Sequence, residues 1–303
     1  GVYDGDVTSS EKRRVRNECE VVITNFAGLN QYLPHHSGWS EVLGNLETVV
    51  VDESHMYTGV QGMHVAWIAR RLLRLAESDR YGSSPQVILT SATIGNPKEH
   101  SKSLTGRDVT VVEEDGSPRG RRDLVFWNPP MYNDDGYEVR RSTHRESSEV
   151  LAHLTHYGRQ TLMFAPSRKM TELDTKWARD FLKEQYKDTS TRIEPYNAGY
   201  KKDERRELEN LLNSEGLDGV VSTTALEVGI NIGSMEATVL SGYPGSRVSF
   251  WQQVGRCGRG RKDALSVLVG MNSSVDQYIM RNPEYLLEED VEDAVVDLDN
   301  NQV

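Results

Sequence analysis

Short runs of consecutive apolar residues alternate along this chain with longer segments in which apolar positions recur every three or four. The runs CEVVITN (19–25), LETVVVD (46–52), QVILTSA (86–92) and VTVVEE (109–114) predict strands. Between the second and third, residues 59–79 set Val65, Ile68, Leu72, Leu75 and Ala76 on one stripe, which predicts a helix. Further along, RQTLMFA (159–165), LDGVVST (217–223), EATVLSG (236–242) and ALSVLVG (264–270) predict strands, and 168–186 and 203–213 predict helices. Buried runs that alternate with helices predict parallel sheets covered on both faces, an α/β fold.

Between about 115 and 145 the pattern dissolves into Gly, Pro, Asp and Arg, which marks a boundary. The expected organisation is a first α/β domain at 1–117, an interdomain linker at 118–140 and a second α/β domain at 141–272. An acidic segment, 273–303, then begins a further part that the chain cuts off.

Composition narrows the class. The chain has 303 residues, 37% hydrophobic and 27% charged. No apolar run approaches the length of a membrane span, and the first residues lack the apolar core of a signal peptide. Cys19 and Cys257 stand alone without metal-ligand spacing, so neither a disulfide framework nor a zinc site is expected, and a reducing cytoplasm is the default. The net charge of −11 argues softly against a nucleic-acid partner, because a groove can be basic on an acidic protein.

Polar clusters close several of the strand runs: DESH (52–55) follows VVV, SAT (91–93) follows QVILT, and STTALEVGINIG (222–233) follows DGVV. Ligands of open parallel sheets gather at such carboxyl ends. Adjacent acids there suit a magnesium–triphosphate site, one holding the ion and one orienting water. A bare acid pair more often ends a strand as a turn former; the preceding VVV and the His at position 55 favour the chemical reading. In WQQVGRCGRGR (251–261), Arg256 and Arg259 are three apart, expected on one helix face, where two guanidiniums can reach phosphate oxygens.

Taken in order, DESH, SAT, STTALEVGINIG and QQVGRCGR resemble motifs II, III, V and VI of superfamily 2 helicases of the DExH kind. TN (24–25) resembles the DNA-contacting motif Ib and FAPSRK (164–169) motif IV. Wider stretches, VVVDESHMYTGVQGMHVAWIARRLLRL and DGSPRGRRDLVFWNPP among them, are similar to the YprA-like (MrfA-like) DNA helicases, a bacterial and archaeal branch that also resembles the fungal RecQ-four-like helicases. The resemblance implies two tandem RecA-like domains, the first incomplete at its N-terminus, with ATP and Mg2+ as cofactors. It implies that Asp52 holds the metal, that Glu53 activates water, and that His55 couples the nucleotide to the second lobe. Ser91 and Thr93 would link hydrolysis to lobe movement. Gly229, Asn231 and Gln252 would approach the nucleotide, and Gln252, Arg256 and Arg259 the γ-phosphate from the opposite lobe. Thr24, Asn25, Ser167, Arg168, Thr223 and Thr224 would grip the phosphates of single-stranded nucleic acid, with DNA the favoured strand. Asn231 stands where this motif often has Asp, and Cys257 fills a slot that is usually small.

The phosphate loop G-x-x-x-x-G-K-[ST] is missing, since the dipeptide GK does not occur. The expectation is a fragment that lacks the N-terminal phosphate-loop region and the cysteine-rich C-terminal region of its protein, and is not ATPase-competent alone. The resulting reading is the motor of a 3′–5′ DNA helicase in DNA repair. The alternatives are an RNA helicase, a duplex translocase that does not unwind, or a non-hydrolysing nucleic-acid-binding protein. Tyr196 and Tyr200 are weaker candidates for base stacking, with packing favoured.

Overall fold

The computed structural model describes residues 1–299 except 6, 115, 117–119, 215, 228–234, 259–261, 289 and 290. Two compact units emerge: 1–113 with 291–303, and 114–290.

The first unit holds α1 (Ser9–Glu18), α2 (Phe26–Tyr32), α3 (Ser40–Gly44), β1 (Thr48–Val51), α4 (Gly59–Ala76), β2 (Gln86–Leu89) and α5 (Pro97–Thr105). β1 and β2 pair in parallel, Val51 opposite Leu89. The stripe read from the sequence is the inner face of α4, where Val65, Ala66, Ile68, Leu72 and Ala76 are buried. One cluster joins Ile68 and Leu72 to Leu33 and Leu43. Another joins Val65, Ala66 and Leu104 to Val296 and Leu298, so the residues after 290 complete this unit. The opposite pair Val50 and Ile88 is 59% and 41% exposed. Two runs expected as strands are otherwise. Of 19–25, only Ile23 makes an isolated bridge, to Val2, and 109–114 has no regular structure.

In the second unit come β3 (Arg122–Trp127), β4 (Met131–Asp134), β5 (Tyr137–Arg140), α6 (Thr143–His156), β6 (Thr161–Phe164), α7 (Arg168–Phe181), β7 (Ile193–Tyr196) and α8 (Lys202–Asn213). β8 (Gly219–Ser222), β9 (Ala237–Ser241), α9 (Arg247–Val254), β10 (Ala264–Val269), α10 (Ser274–Arg281) and α11 (Glu284–Leu287) follow. Its six-stranded sheet runs β3-β10-β9-β6-β8-β7, parallel throughout. β6, β8 and β9 are buried along their whole length, which explains their unbroken apolar runs. One face packs on Leu212, Phe250, Val254 and Ile279, the other on Leu151, Ala152, Ala178 and Leu182. The stretch expected as a linker, 118–140, supplies β3 to this sheet and the antiparallel hairpin β4–β5. Residues 274–287, expected in a further segment, form α10 and α11 of the same unit.

Candidate functional site

β1 and β2 stay in register up to Val51 and Leu89, and the next residues build the acid loop. Thr90 N–H donates to Val51 O at 2.9 Å, and Ser54 N–H to Thr90 O at 2.8 Å. The Thr90 hydroxyl donates to Asp52 Oδ1 at 2.5 Å. Glu53 takes φ +49°, a left-handed conformation uncommon outside glycine. Its N–H is held there by Asp52 Oδ1 at 3.1 Å and Thr90 Oγ1 at 3.3 Å. Strain of this kind concentrates where surrounding structure fixes a functional loop. Asp52 is exposed, and its Oδ2 accepts no hydrogen bond among the described residues.

His55, 5% exposed, ties this loop to the next strand end. Ala92 N–H donates to His55 Nδ1 at 3.0 Å. A ring nitrogen that accepts carries no proton, so this bond belongs to the neutral imidazole. Burial, and then the neighbouring His100, hold the His55 pKa below its ordinary value against the opposing pull of Asp52. The 3.6 Å approach of Glu53 Oε2 to the same nitrogen is therefore not an ion pair. Ser91 and Thr93 flank Ala92 and are exposed. In this unit Thr24 donates to Tyr3 O at 2.8 Å, and Asn25 caps α2 by accepting from Gly28 N–H at 2.7 Å.

In the second unit two neighbouring strands deliver the other candidates. β6 and β8 end in register at Phe164 and Ser222. Ser167 and Arg168 follow the first and Thr223 and Thr224 the second, at the carboxyl end of the sheet. Ser167 caps α7 by accepting from Met170 N–H at 3.3 Å. Arg168 and Lys169 stand exposed in a first helical turn that contains no acid. That placement works against the helix dipole and suits an anionic ligand.

Arg256 departs from expectation. α9 ends at Val254 with Gly255 as its C-cap, so Arg256 lies in the turn beyond the helix and not on a helix face. Its side chain is 6% exposed. Nε donates to Glu227 O at 2.8 Å and Nη2 donates to the same carbonyl. Arg259, Gly229 and Asn231 lie outside the described residues. Gln252 sits half-buried on α9. Cys257 is fully buried among Val254, Thr238 and Ser266, as a small core residue.

Sequence reasoning passes over the residues that organise these loops. Glu227, 8% exposed, receives Ser249 Oγ–H at 2.7 Å and Gln253 Nε2–H at 2.9 Å on its carboxylate. It thereby binds the STTALE turn (222–227) to α9. The available signal is an acid within an apolar run, which needs buried donors. Thr90 gives no signal, because its role depends on a strand 38 residues away. Tyr196 is 1% exposed and donates to Glu209 at 2.7 Å, so it packs and does not stack on bases.

Among the described residues no group of three His, Cys, Asp or Glu gathers to hold a metal. Magnesium with a triphosphate needs only one or two carboxylates, the rest being water and phosphate oxygens. The exposed Asp52, with one oxygen left over, fits that demand. No helix among the described residues is long and apolar enough to cross a membrane.

The DEAD/DEAH box helicase family matches residues 1–100, and the helicase conserved C-terminal domain matches 146–261. The Bacillus subtilis ATP-dependent helicase YprA is 41% identical over 98% of this chain and 39% of its own length. A crystal structure of the helicase MrfA bound to DNA superposes with a TM-score of 0.91 at 41% identity, over 99% of this chain and 40% of that one. MrfA bound to DNA and AMPPNP gives a TM-score of 0.90 at 40% identity, over 99% of this chain and 41% of that one. The chain thus spans about two-fifths of the length of these relatives. Its two parallel-sheet units are RecA-like, and the chain belongs to the superfamily 2 helicases, in the family of YprA and MrfA.

Proposed function

We propose that this chain is the motor segment of an ATP-dependent DNA helicase that moves 3′ to 5′ on single-stranded DNA and serves in DNA repair. The observation that carries the reading is the joint between the acid loop and the SAT loop. Asp52 is left open at a strand end, Glu53 is fixed beside it, and neutral His55 holds the Ala92 backbone. Magnesium and ATP, when bound, supply the phosphoryl group and neutralise its charge. Asp52 would hold the ion and Glu53 would orient and deprotonate the attacking water. Through His55, any shift of the acid loop on hydrolysis displaces Ser91 and Thr93. Arg256, Arg259 and Gln252 would serve the γ-phosphate, and Gly229 and Asn231 the nucleotide. Thr24, Asn25, Ser167, Arg168, Thr223 and Thr224 would hold the strand by its phosphates, contacts that position a backbone without reading sequence. The first RecA-like domain would comprise 1–113 with the returning tail, and the second 141–272 with β3 added.

The test is Glu53→Gln in the protein as its gene encodes it. ATP turnover should fall about 10²–10⁴-fold, the range for loss of a general base, with ATP binding retained. Unchanged turnover would remove Glu53 from the chemistry. Stimulation by DNA in preference to RNA separates the proposal from its RNA alternative.

A further inference from the structure

The chain leaves the first unit after Glu113 and rejoins it at Val291, and the rejoining segment lies directly behind the acid loop. Gly95 N–H donates to Glu292 O at 3.1 Å, and Gly59 N–H to Val295 O at 2.8 Å. Asn96 grips Ala294 on both sides. Its Oδ1 accepts from Ala294 N–H at 2.8 Å and its Nδ2 donates to Ala294 O at 3.3 Å. A Cβ on Gly95 would lie 2.6 Å from Val291 O, so the approach of the two backbones requires glycine there. Val296 and Leu298 anchor the segment under α4.

His100 connects this segment to the acids. The ring is 1% exposed. Nδ1 lies 3.1 Å from Ala294 O, and Nε2 lies 2.9 Å from Ser54 O, the carbonyl between Glu53 and His55. Both carbonyls can only accept, so the ring serves as donor: one bond when neutral, both as the imidazolium. The acid loop is therefore fixed from two sides. Thr90 and Ala92 hold it along the sheet, and His100 holds it to the tail.

We propose that residues 291–298 are a strap that positions the Asp52–Glu53 loop, and that His100 is the positioning residue through which it acts. The proposal rests on the reading of that loop as the hydrolytic centre only for its effect on turnover. Its effect on the loop itself is independent of ATP. The segment is also the chain directly downstream of the second unit, so the strap is a covalent route from that unit to the acids.

Two variants test it from opposite ends. Val296→Asp should release the strap without touching residues 52–55, and His100→Leu should cut the link while leaving the strap's other bonds. In each, hydrogen exchange at residues 53–57 and 91–93 should speed up while the amides of β6 stay protected, which controls for folding. In the protein as its gene encodes it, kcat for ATP should fall several-fold with KM little changed. The double variant should be no worse than the worse single one, because both act through one contact. His100→Gln, which keeps an N–H donor, should restore part of the loss. Faster exchange at Gly59, Gly95 and Ala294 without any change at 53–57 would overturn the proposal. So would additive losses, or equal losses in His100→Leu and His100→Gln. If the wild-type protein turns over no ATP, the functional reading fails, and the exchange data still decide the strap.

Discussion

Asp174 on α7 is fully buried, and its carboxylate has no hydrogen bond of good geometry among the described residues; His144 Nδ1 stands 3.4 Å from Oδ2 and 3.1 Å from Ser241 Oγ. Burial raises the Asp174 pKa, with His144 and the Ser148 hydroxyl pulling the other way. Between the ordinary carboxylate value and that raised one the folded state binds more protons, so stability falls as pH rises through the window and stays reduced above it. Asp174→Asn is therefore expected to raise the thermal midpoint at pH 8, each tenfold difference in proton affinity between the folded and unfolded carboxyl being worth about 1.4 kcal/mol. The gain should shrink as the pH drops through that window toward 4. A variant no more stable at pH 8 would show that burial does not penalise the folded carboxylate. The same scale shows what the amino-acid order can reveal. Asp52, Glu53 and His55 are legible because a β-branched run ends in acids. Thr90, His100 and Glu227 are not, because each acts on a partner brought near only by the fold.

Elements follow the same division. β6, β8, β9 and β10 are continuous apolar runs and are read directly. β7 is not, because its sequence is Ile193–Tyr196 with Pro195 inside it. That Pro is tolerated because β7 is the sheet's last strand, where one side needs no N–H donor. β3 is hidden by its Gly- and Arg-rich surroundings, yet its six residues pair with all of β10. Conversely, 109–114 has the residues of a strand and, among the described residues, no neighbour to pair with. The joint between the turn after β8 and α9 is the element-level contact with the most at stake. Glu227→Ala leaves the buried Gln253 amide only its long 3.4 Å bond to Ser249 Oγ and takes the acceptor from the half-buried Ser249 hydroxyl. It should cost about 2–4 kcal/mol, at about 1–3 kcal/mol for each unmet buried group, read as a lower denaturation midpoint. Glu227→Gln keeps an acceptor for one of the two and should cost less.

At the scale of the whole molecule, a net charge of −11 means that any grip on a nucleic acid is local and not a property of the overall field. The exposed Arg168, beyond the carboxyl end of β6, is the sharpest case. Arg168→Ala should weaken binding alike for all sequences and lower the salt slope by about 1. A change in sequence preference, or an unaltered slope, would take Arg168 off the phosphates. The pattern along the chain reveals two α/β units and their order. It does not reveal that the first unit is discontinuous, because VEDAVVDLD carries only a short apolar signal in an acidic tail.

That discontinuity has a consequence on the ribosome. The first unit cannot seat Val296 and Leu298 until the second has been made in full. At about 5–20 residues per second, residues 1–113 wait roughly 10–40 s for residues 291–298. The second unit, complete in one stretch, is free to fold during that interval. The nascent chain meanwhile carries Val65, Ala66 and Leu104 without the Val296 and Leu298 that pack on them. Chaperone demand during synthesis should accordingly map to the first unit, and a translational pause placed after residue 298 should relieve more of it than one placed after residue 113.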